Sequence, residues 1–280
     1  MNWIKSIFLS SFIALIILGG AWLGMNSEGF SSSFLWWGVL LNTLVVAGFF
    51  SIIFVKPKIT VDRHLLPFSI PMYLGGDLAI LSLFLDAELN YYGLGLSLVF
   101  VVGWLAYVYW YSRLDRHTPS LDVGKLLPKV GFENPQGEKV SSNDFVGQPT
   151  VWLFYRGNWC PLCMMQIKEI AASYKEIEKI GAKVALVSPQ PHKFTKSLAQ
   201  KHEVNFDFLV DVENKAAQQL GIAHDGGLPT GLQALGYASD TVLPTVIICD
   251  AEGKIVYRDL TENYRIRPEP QDFLEVLNKL

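Results

Sequence analysis

The stretch Thr150-Val151-Trp152-Leu153-Phe154-Tyr155, followed closely by Trp159-Cys160-Pro161-Leu162-Cys163, decides the fold of the second half of this chain. The first six residues form an apolar run that is typical of a buried strand. Pro161 suits the first position of a helix, and we predict one helix over 161–180 that ends at Gly181. Two cysteines three positions apart, at the start of a helix that follows a core strand, indicate thiol–disulfide chemistry.

The spacing of Cys160 and Cys163 suggests how the pair would work. Side chains at positions i and i+3 of a helix lie on one face, and their Cα atoms are close enough for a disulfide. Cys160 would lie at the helix N-terminus, where free amide groups and the helix dipole lower the pKa of a thiol. We therefore expect Cys160 to attack a substrate disulfide, or to receive electrons, and Cys163 to resolve the mixed disulfide.

Other residues around the pair have two interpretations each. Trp159 could be a surface for partner docking or a packing residue, and Arg156 could add positive charge near the thiolate or be a solvated loop residue. A Cys-x-x-Cys pair can also be half of a zinc site, but such a site needs two more ligands, and the sequence has no second pair of this kind. The third cysteine, Cys249, lies in an apolar run and is expected to be a small packing residue.

Downstream of residue 125, apolar runs alternate with helical patterns. We predict a hairpin over 131–147, strands over 150–155, 183–188, 206–210, 245–249 and 255–260, and further helices over 191–202, 214–220 and 271–280. This order indicates an α/β domain with a central mixed sheet and helices on both faces.

The first 112 residues are a different kind of region, because they contain only nine Asp, Glu, Lys or Arg residues, whereas the other 168 contain 40. Four apolar stretches there have the length that crosses a bilayer, over 4–23, 34–55, 66–85 and 92–111. We predict an all-α transmembrane region of about four helices over 1–112, a connector over 113–124 and a redox domain over 125–280. The near-balance of charge in the whole chain argues against nucleic acid as a partner.

The positions of lysine and arginine predict the orientation in the membrane. With four spans, all the basic residues in and next to this region fall on one side, namely Lys5, Lys56, Lys58, Arg63, Arg113, Arg116, Lys125 and Lys129. The positive-inside rule then predicts an integral inner-membrane protein with its redox domain in the cytoplasm. If the third segment does not cross, the domain lies on the periplasmic or extracellular side.

Two features of the spans bear on their role. No span contains a cysteine, so we expect an anchor or a partner-binding module rather than an electron conduit. Asp77 lies within the third segment, where an ionisable group is a functional candidate. Alternatively, Gly75-Gly76-Asp77 marks a broken or shallow helix whose carboxylate reaches water.

The redox half resembles the thioredoxin superfamily, since it has a strand, Trp-Cys-x-x-Cys, a helix and, much later, Val242-Leu243-Pro244-Thr245 before an apolar strand. It is more similar to the peroxiredoxin-like branch of the alkyl hydroperoxide reductase/thiol-specific antioxidant (redoxin) family, over roughly 125–280. The segments that carry this resemblance are Phe154–Cys163, Val187–Gln190, Phe208–Asp211 and Tyr264–Pro268. The resemblance implies a thioredoxin-like fold in which the bond before Pro244 is cis and Pro244 packs beside the active disulfide.

The same resemblance includes departures that bear on the activity. Peroxiredoxins have a threonine or serine three residues before the reactive cysteine, a proline seven before, and an arginine that helps to bind the peroxide. The matching positions here are Gly157, Leu153 and Pro244. The groups that polarise a peroxide are therefore missing at these positions, which favours dithiol exchange over peroxidase activity.

We accordingly predict a membrane-anchored thiol–disulfide oxidoreductase of antioxidant type, in which Cys160 and Cys163 form the redox-active disulfide and no other cofactor or metal is needed. Trp159, Pro161, Pro244 and Arg156 are expected to line or support the substrate groove. The expected partners are a protein or small-molecule thiol or disulfide, a thiol reductant and the lipid membrane. One alternative is a thiol-dependent hydroperoxide reductase that forms a sulfenic acid at Cys160. Another is a dithiol module that binds a metal.

Overall fold

The computed structural model describes residues 2–31, 33–55, 62–116, 118–202 and 204–280. The chain divides into two compact units. One is helical and comprises Ile7–Arg113, and the other comprises Leu114–Leu280 with the N-terminal residues up to Ser6. Lys56 and Lys58, which contribute to the predicted orientation, lie outside the described residues.

Long apolar helices make up the helical unit. They are α1 (Asn2–Met25), α2 (Phe34–Val55), α3 (Leu66–Leu85) and α4 (Tyr91–Leu105), and α4 continues as a π-helical segment over Ala106–Tyr111. Four helical segments, the last of them Tyr91–Tyr111, are long and apolar enough to cross a membrane, within the part of the chain that the structure describes. Their bounds lie within one or two residues of the four predicted spans, so the prediction of four helices of this kind is confirmed.

Helices α2 and α3 approach each other closely at two glycines. A Cβ atom on Gly38 would lie 2.6 Å from the carbonyl oxygen of Gly75, and one on Gly75 would lie 2.4 Å from Nδ2 of Asn42. The buried amide of Asn42 donates to the carbonyl of Met72 at 2.8 Å and accepts from Oγ of Ser97 in α4 at 2.7 Å. Small residues at the contact and hydrogen bonds between helices are how helices associate in lipid.

The interpretation of Gly75-Gly76-Asp77 as a break in the third helix is wrong. Helix α3 runs without interruption from Leu66 to Leu85. The missing side chain of Gly75 serves the close contact with α2 and does not mark a kink. The side chain of Asp77 lies exposed on the outside of the helical unit.

A mixed seven-stranded sheet forms the core of the second unit. The strands are β1 (Gly131–Glu133), β2 (Lys139–Ser141), β3 (Thr150–Phe154), β4 (Lys183–Ser188), β5 (Asp207–Val210), β6 (Ala223–His224), β7 (Thr241–Val242), β8 (Thr245–Cys249) and β9 (Ile255–Asp259). The helices are α5 (Pro161–Ala172), α6 (Tyr174–Lys179), α7 (His192–Lys201), α8 (Lys215–Leu220) and α9 (Pro270–Leu277). The sheet order is β2-β1-β5-β4-β3-β8-β9, and β6 pairs separately with β7.

The direction of the strands confirms the predicted α/β class. Strands β3, β4 and β5 run parallel, while β1, β2, β8 and β9 pair antiparallel with their neighbours. All residues of β3 and β8 are buried, which means that both faces of the sheet are covered at its centre. The predicted hairpin over 131–147 forms between β1 and β2.

The prediction of one helix over 161–180 is wrong, because the segment forms two helices. Helix α5 ends at Ala172, and α6 begins at Tyr174. Between them, Ser173 has a non-helical ψ of 6°. Its amide is shared by the carbonyls of Glu169 and Ile170, at 3.2 and 3.1 Å, which tightens the last turn of α5 and redirects the chain.

Strand register brings the functional segments together at one edge of the sheet. Phe154, the last residue of β3, pairs with Thr245, the first of β8, and Val246 pairs with Asp259, the last of β9. The loop that leads to Cys160, the start of β8 and the loop after β9 therefore meet at this edge.

Candidate active site

Both cysteines of the Cys-x-x-Cys pair lie at the N-terminus of α5. Cys160 is the N-cap residue, and Pro161 occupies the first turn as predicted. The two side chains are buried, with 3% and 1% of their surfaces exposed, and both are free thiols. The side chain of Cys160 makes no capping hydrogen bond. The backbone amide of Cys163, in the first turn of α5, nonetheless helps to lower the pKa of the Cys160 thiol.

The two thiols have opposite acidities. The pKa of Cys160 is lowered to about 6, mainly by a hydrogen bond from Cys163 and also by the positive charges of Arg156 and Arg267, against the effect of burial. Burial, followed by the proximity of Cys160, raises the pKa of Cys163 well above its usual value. At neutral pH the pair therefore consists of a thiolate at Cys160 and a thiol at Cys163, which is the distribution that an attacking and a resolving sulfur need.

Arg156 is a buried residue and not a solvated loop residue. Its Nη2 donates to the carbonyl of Gly227, and Thr241 Oγ1 donates to the carbonyl of Arg156 at 3.0 Å. The guanidinium carbon lies 4.6 Å from the centre of the Trp159 ring. Trp159 is half-buried and covers the charge of Arg156, so packing on this arginine is one use of the indole.

The loop before Cys160 is fixed by Gln190, which lies just after β4. The Gln190 side chain accepts from the amide of Asn158 at 2.8 Å and donates to Asn158 Oδ1 at 3.1 Å and to the Tyr155 hydroxyl at 3.0 Å. Asn158 in turn donates to the carbonyl of Phe194 in α7 at 2.9 Å. The approach to the reactive sulfur is thus held by a buried hydrogen-bond network.

Gly157 has a steric reason to lack a side chain. Its φ is +145°, and a Cβ atom there would lie 2.7 Å from Nε1 of Trp159. A threonine or serine hydroxyl, which peroxiredoxins have at this position, does not fit beside Trp159. The groups that lower the pKa of Cys160 here include the charges of Arg156 and Arg267.

Two of these arginines were not among the predicted site residues. Arg267 lies in the loop between β9 and α9, with 4% of its surface exposed, and its charge lowers the pKa of both thiols. Arg116 donates from Nη1 to Thr245 Oγ1 at 2.8 Å and from Nη2 to the carbonyl of Pro244. Burial and the charge of Arg267 lower the pKa of Arg116 to about 10, so the two guanidinium groups are neighbours.

A sequence signal was available for only one of them. Arg267 lies within Tyr264–Pro268, which carries part of the family resemblance, but nothing in that segment indicated a role. Arg116 was counted among the charges that set the orientation, whereas it belongs to the α/β unit.

The predicted cis bond before Pro244 is wrong, because the described residues contain no cis peptide bond. The trans form is the ordinary state of an X–Pro bond, and the chain uses it to pass directly from β7 into β8. The amide of Leu243 donates to the carbonyl of Ile222 at 2.8 Å, and Thr245 Oγ1 donates to the carbonyl of Leu243 at 2.8 Å. Pro244 thus lies at the sheet edge next to Arg116, and its role in shaping a groove stays a prediction.

Cys249 is buried in β8 opposite Thr150, and burial raises the pKa of its thiol to about 12. This is the environment of a packing residue. Within the described ranges, no three His, Cys, Asp or Glu side chains are grouped in a way that could hold a metal ion.

The chain is similar to known proteins over part of its length. The model of the AhpC/TSA family matches residues 123–258. Chloroplastic peroxiredoxin Q of Gentiana triflora is 31% identical over 108 residues, which cover 38% of this chain and 50% of that protein. Peroxiredoxin Bcp of Bacillus subtilis is 25% identical over 103 residues, which cover 37% of this chain and 66% of that protein.

Part of the chain also aligns with solved structures. The crystal structure of peroxidoxin BcpB from Mycobacterium tuberculosis aligns with a TM-score of 0.47 at 17% identity, covering 57% of this chain and 98% of that one. The chain spans between 50% and 66% of the length of the two sequence relatives. Residues 123–258 therefore match the AhpC/TSA family.

Proposed function

We propose that this protein is a membrane-anchored, thiol-dependent hydroperoxide reductase. The observation that carries the proposal is the Cys160 thiol, whose pKa falls to about 6 at a buried helix N-terminus beside Cys163, Arg156 and Arg267. A thiolate is the nucleophile that reduces a peroxide, and positive charge stabilises the oxygen anions that the reaction forms. The relatives are named peroxiredoxins, which favours this function over the dithiol exchange that the sequence alone favoured.

The proposed reaction uses both cysteines. The thiolate of Cys160 attacks one peroxide oxygen, the S–O bond forms as the O–O bond breaks, and the other oxygen leaves as water or an alcohol. The thiol of Cys163 then attacks the oxidised sulfur, which gives the Cys160–Cys163 disulfide and releases the transferred oxygen as water. A thiol reductant restores the dithiol by exchange.

Dithiol exchange with a protein disulfide is the second candidate. The placement of Cys163 one turn inside the helix, in hydrogen-bond contact with Cys160, supports it. The two functions share the nucleophile and differ in the substrate that Cys160 attacks first.

The helical region supports the proposed location. We propose that residues 1–112 anchor the protein in the inner membrane through four spans, that 113–124 connect, and that domain 125–280 lies in the cytoplasm. The length and apolar composition of the four helices support the anchor, and the basic residues support the side.

Peroxide kinetics test the proposed activity. Reduced full-length protein in detergent micelles is mixed with hydrogen peroxide or an alkyl hydroperoxide in a stopped-flow instrument, and the change in tryptophan fluorescence is followed. We expect a second-order rate constant on the order of 10³-fold above that of free cysteine thiolate, because charges fixed around Cys160 stabilise the transition state. Cys160→Ser should abolish the reaction, and Cys249→Ser, a buried cysteine outside the site, should retain it.

A rate no faster than that of free cysteine would refute the peroxidase. Fast reaction of the same sample with a protein disulfide would then establish dithiol exchange in its place.

Labelling of intact cells tests the proposed side. Lys175 is exposed on α6, so Lys175→Cys in a chain that lacks the three native cysteines gives one accessible thiol. We expect a membrane-impermeant maleimide to react with it only after the membrane is permeabilised. Ready labelling of intact cells would place the domain outside.

A further inference from the structure

Arg267 carries hydrogen-bond donors that have no partner. Its Nε and Nη2 atoms are fully buried and make no hydrogen bond with any of the described residues. A buried guanidinium N–H without an acceptor is costly and rare, so its presence calls for a function.

The loop that carries Arg267 lies at the same edge of the sheet as the reactive sulfur. The loop after β9 lies at the sheet edge where β3 ends and β8 begins, because Val246 pairs with Asp259 and Phe154 pairs with Thr245. Cys160 follows β3 at this edge, in the loop that leads to α5. The charge of Arg267 acts on Cys160 and Cys163 alike, which agrees with a place beside the pair.

The neighbouring arginines differ from Arg267 in how their terminal nitrogens are used. Both terminal nitrogens of Arg116 donate, one to Thr245 and one to Pro244. Arg156 donates to Gly227 and packs on Trp159. Of these three arginines, Arg267 is therefore the one whose Nε and Nη2 atoms can both donate to a new acceptor.

We propose that Arg267 binds the oxygen atom that Cys160 takes from the peroxide. In the reaction, the thiolate attacks the hydroperoxide ROOH, and the products are the sulfenate Cys160–S–O⁻ and the alcohol ROH, the peroxide proton passing to the leaving oxygen. The negative charge thus moves from sulfur to oxygen, and Nε and Nη2 of Arg267 donate to that oxygen. This proposal rests on the proposed peroxidase function and assigns its oxygen-binding group to a loop other than the one where peroxiredoxins place their arginine.

The test separates binding of oxygen from stabilisation of the thiolate. Full-length protein in micelles is studied at pH 8, where Cys160 is ionised. Rate constants are measured for hydrogen peroxide and for iodoacetamide, which alkylates the thiolate but transfers no oxygen. We expect Arg267→Gln to lower the peroxide rate constant by about 10²- to 10³-fold, the usual effect of removing an oxyanion donor, and the iodoacetamide rate constant by less than about 3-fold.

Two further variants complete the design. Arg267→Lys keeps the charge but lacks the paired N–H groups, and should lower the peroxide rate constant by at least about 10-fold. Arg258→Gln is the matched control, since Arg258 contacts Thr118 and Asp122 and lies outside the site. It should leave both rate constants within about 2-fold, as for other surface substitutions.

The outcomes are distinct. Equal losses in both rate constants for Arg267→Gln, or no loss in either, would overturn the role of Arg267. If Arg267→Gln does not fold, Arg267→Lys decides by the same ratio. A wild-type protein that reduces peroxide no faster than free cysteine would instead refute the peroxidase itself.

Discussion

The two units of this protein differ in how completely their buried polar groups are paired. In the helical unit such groups pair with one another, as Asn42 does with Ser97 and Met72, and as Trp104 Nε1 does with Ser69 at 2.8 Å. Among the described residues, the buried side-chain nitrogen and oxygen atoms that lack a partner all lie beyond residue 114. They include atoms of Arg116, Gln166, Asn214, His224 and Arg267.

Helix N-termini show the same contrast. The carboxylate of Asp86 accepts hydrogen bonds from Ser33 Oγ and from the amides of Phe34 and Leu35, and so caps α2. At the start of α5, Cys160 makes no capping bond with its side chain. A capped helix start serves packing, whereas an uncapped one lets its first amides stabilise the thiolate of Cys160. The difference indicates where the chemistry lies.

We expect the largest effect on the reactivity of Cys160 from substitution of Cys163. The hydrogen bond from Cys163 is the main cause that lowers the pKa of Cys160 to about 6. Cys163→Ser keeps a donor and Cys163→Ala removes it, so only alanine should raise this pKa. Because the thiolate forms above the pKa, we expect iodoacetamide at pH 6 to react with Cys160 at least about 5-fold more slowly in the alanine variant, the result of a pKa about one or more units higher.

Both Cys163 variants also lack the resolving thiol. After one equivalent of peroxide, each should retain a sulfenic acid at Cys160 that dimedone labels, whereas the wild type forms the intramolecular disulfide. Mass spectrometry measures the two products. Equal pH profiles for the serine and alanine variants would show that helix dipole and arginines, rather than Cys163, set the acidity of Cys160.

The sequence could predict the fold because its signals are local. Apolar runs such as Val184–Val187 and the glycine and proline residues at segment ends place most of the strands and helices to within one or two residues of their observed bounds, although the last helix ends at Leu277 and the short strands β6 and β7 were not predicted. The break at Ser173 was missed, because the apolar spacing continues across it and only the shared amide bonds redirect the chain. The trans bond at Pro244 was missed because that prediction was taken from a resemblance.

The site could be predicted only in part. Cys160 and Cys163 stand out by their spacing, but the groups that tune them come from distant segments. Arg116 and Arg267 meet at the site only because β3, β8 and β9 end at one edge, and strand order cannot be read from periodicity. The role of Gln190 likewise depends on β4 ending next to the loop at Asn158.

A substitution in the helical unit is expected to have a smaller effect, on the stability of that unit. In Gly75→Ala, the added methyl would lie 2.4 Å from Asn42 Nδ2 and 2.9 Å from the carbonyl of Gly38, so α2 and α3 must separate. We expect the free energy of unfolding of the helical unit to fall by about 1–3 kcal/mol, as for other overpacked sites. Circular dichroism during titration with a denaturing detergent measures this change. Gly48→Ala is the matched control, because a Cβ there meets no atom within 4 Å.

The same variant tests whether the helical unit only anchors the protein. Every residue that the proposed chemistry uses lies in the α/β unit. Gly75→Ala should therefore leave the peroxide rate constant within about 2-fold of wild type, the range of substitutions outside a site. A loss of more than about 10-fold would mean that the packing of α2 on α3 contributes to catalysis. In that case the paired polar groups of the helical unit would have a role in the reaction, and the division between a packing unit and a chemical unit would fail.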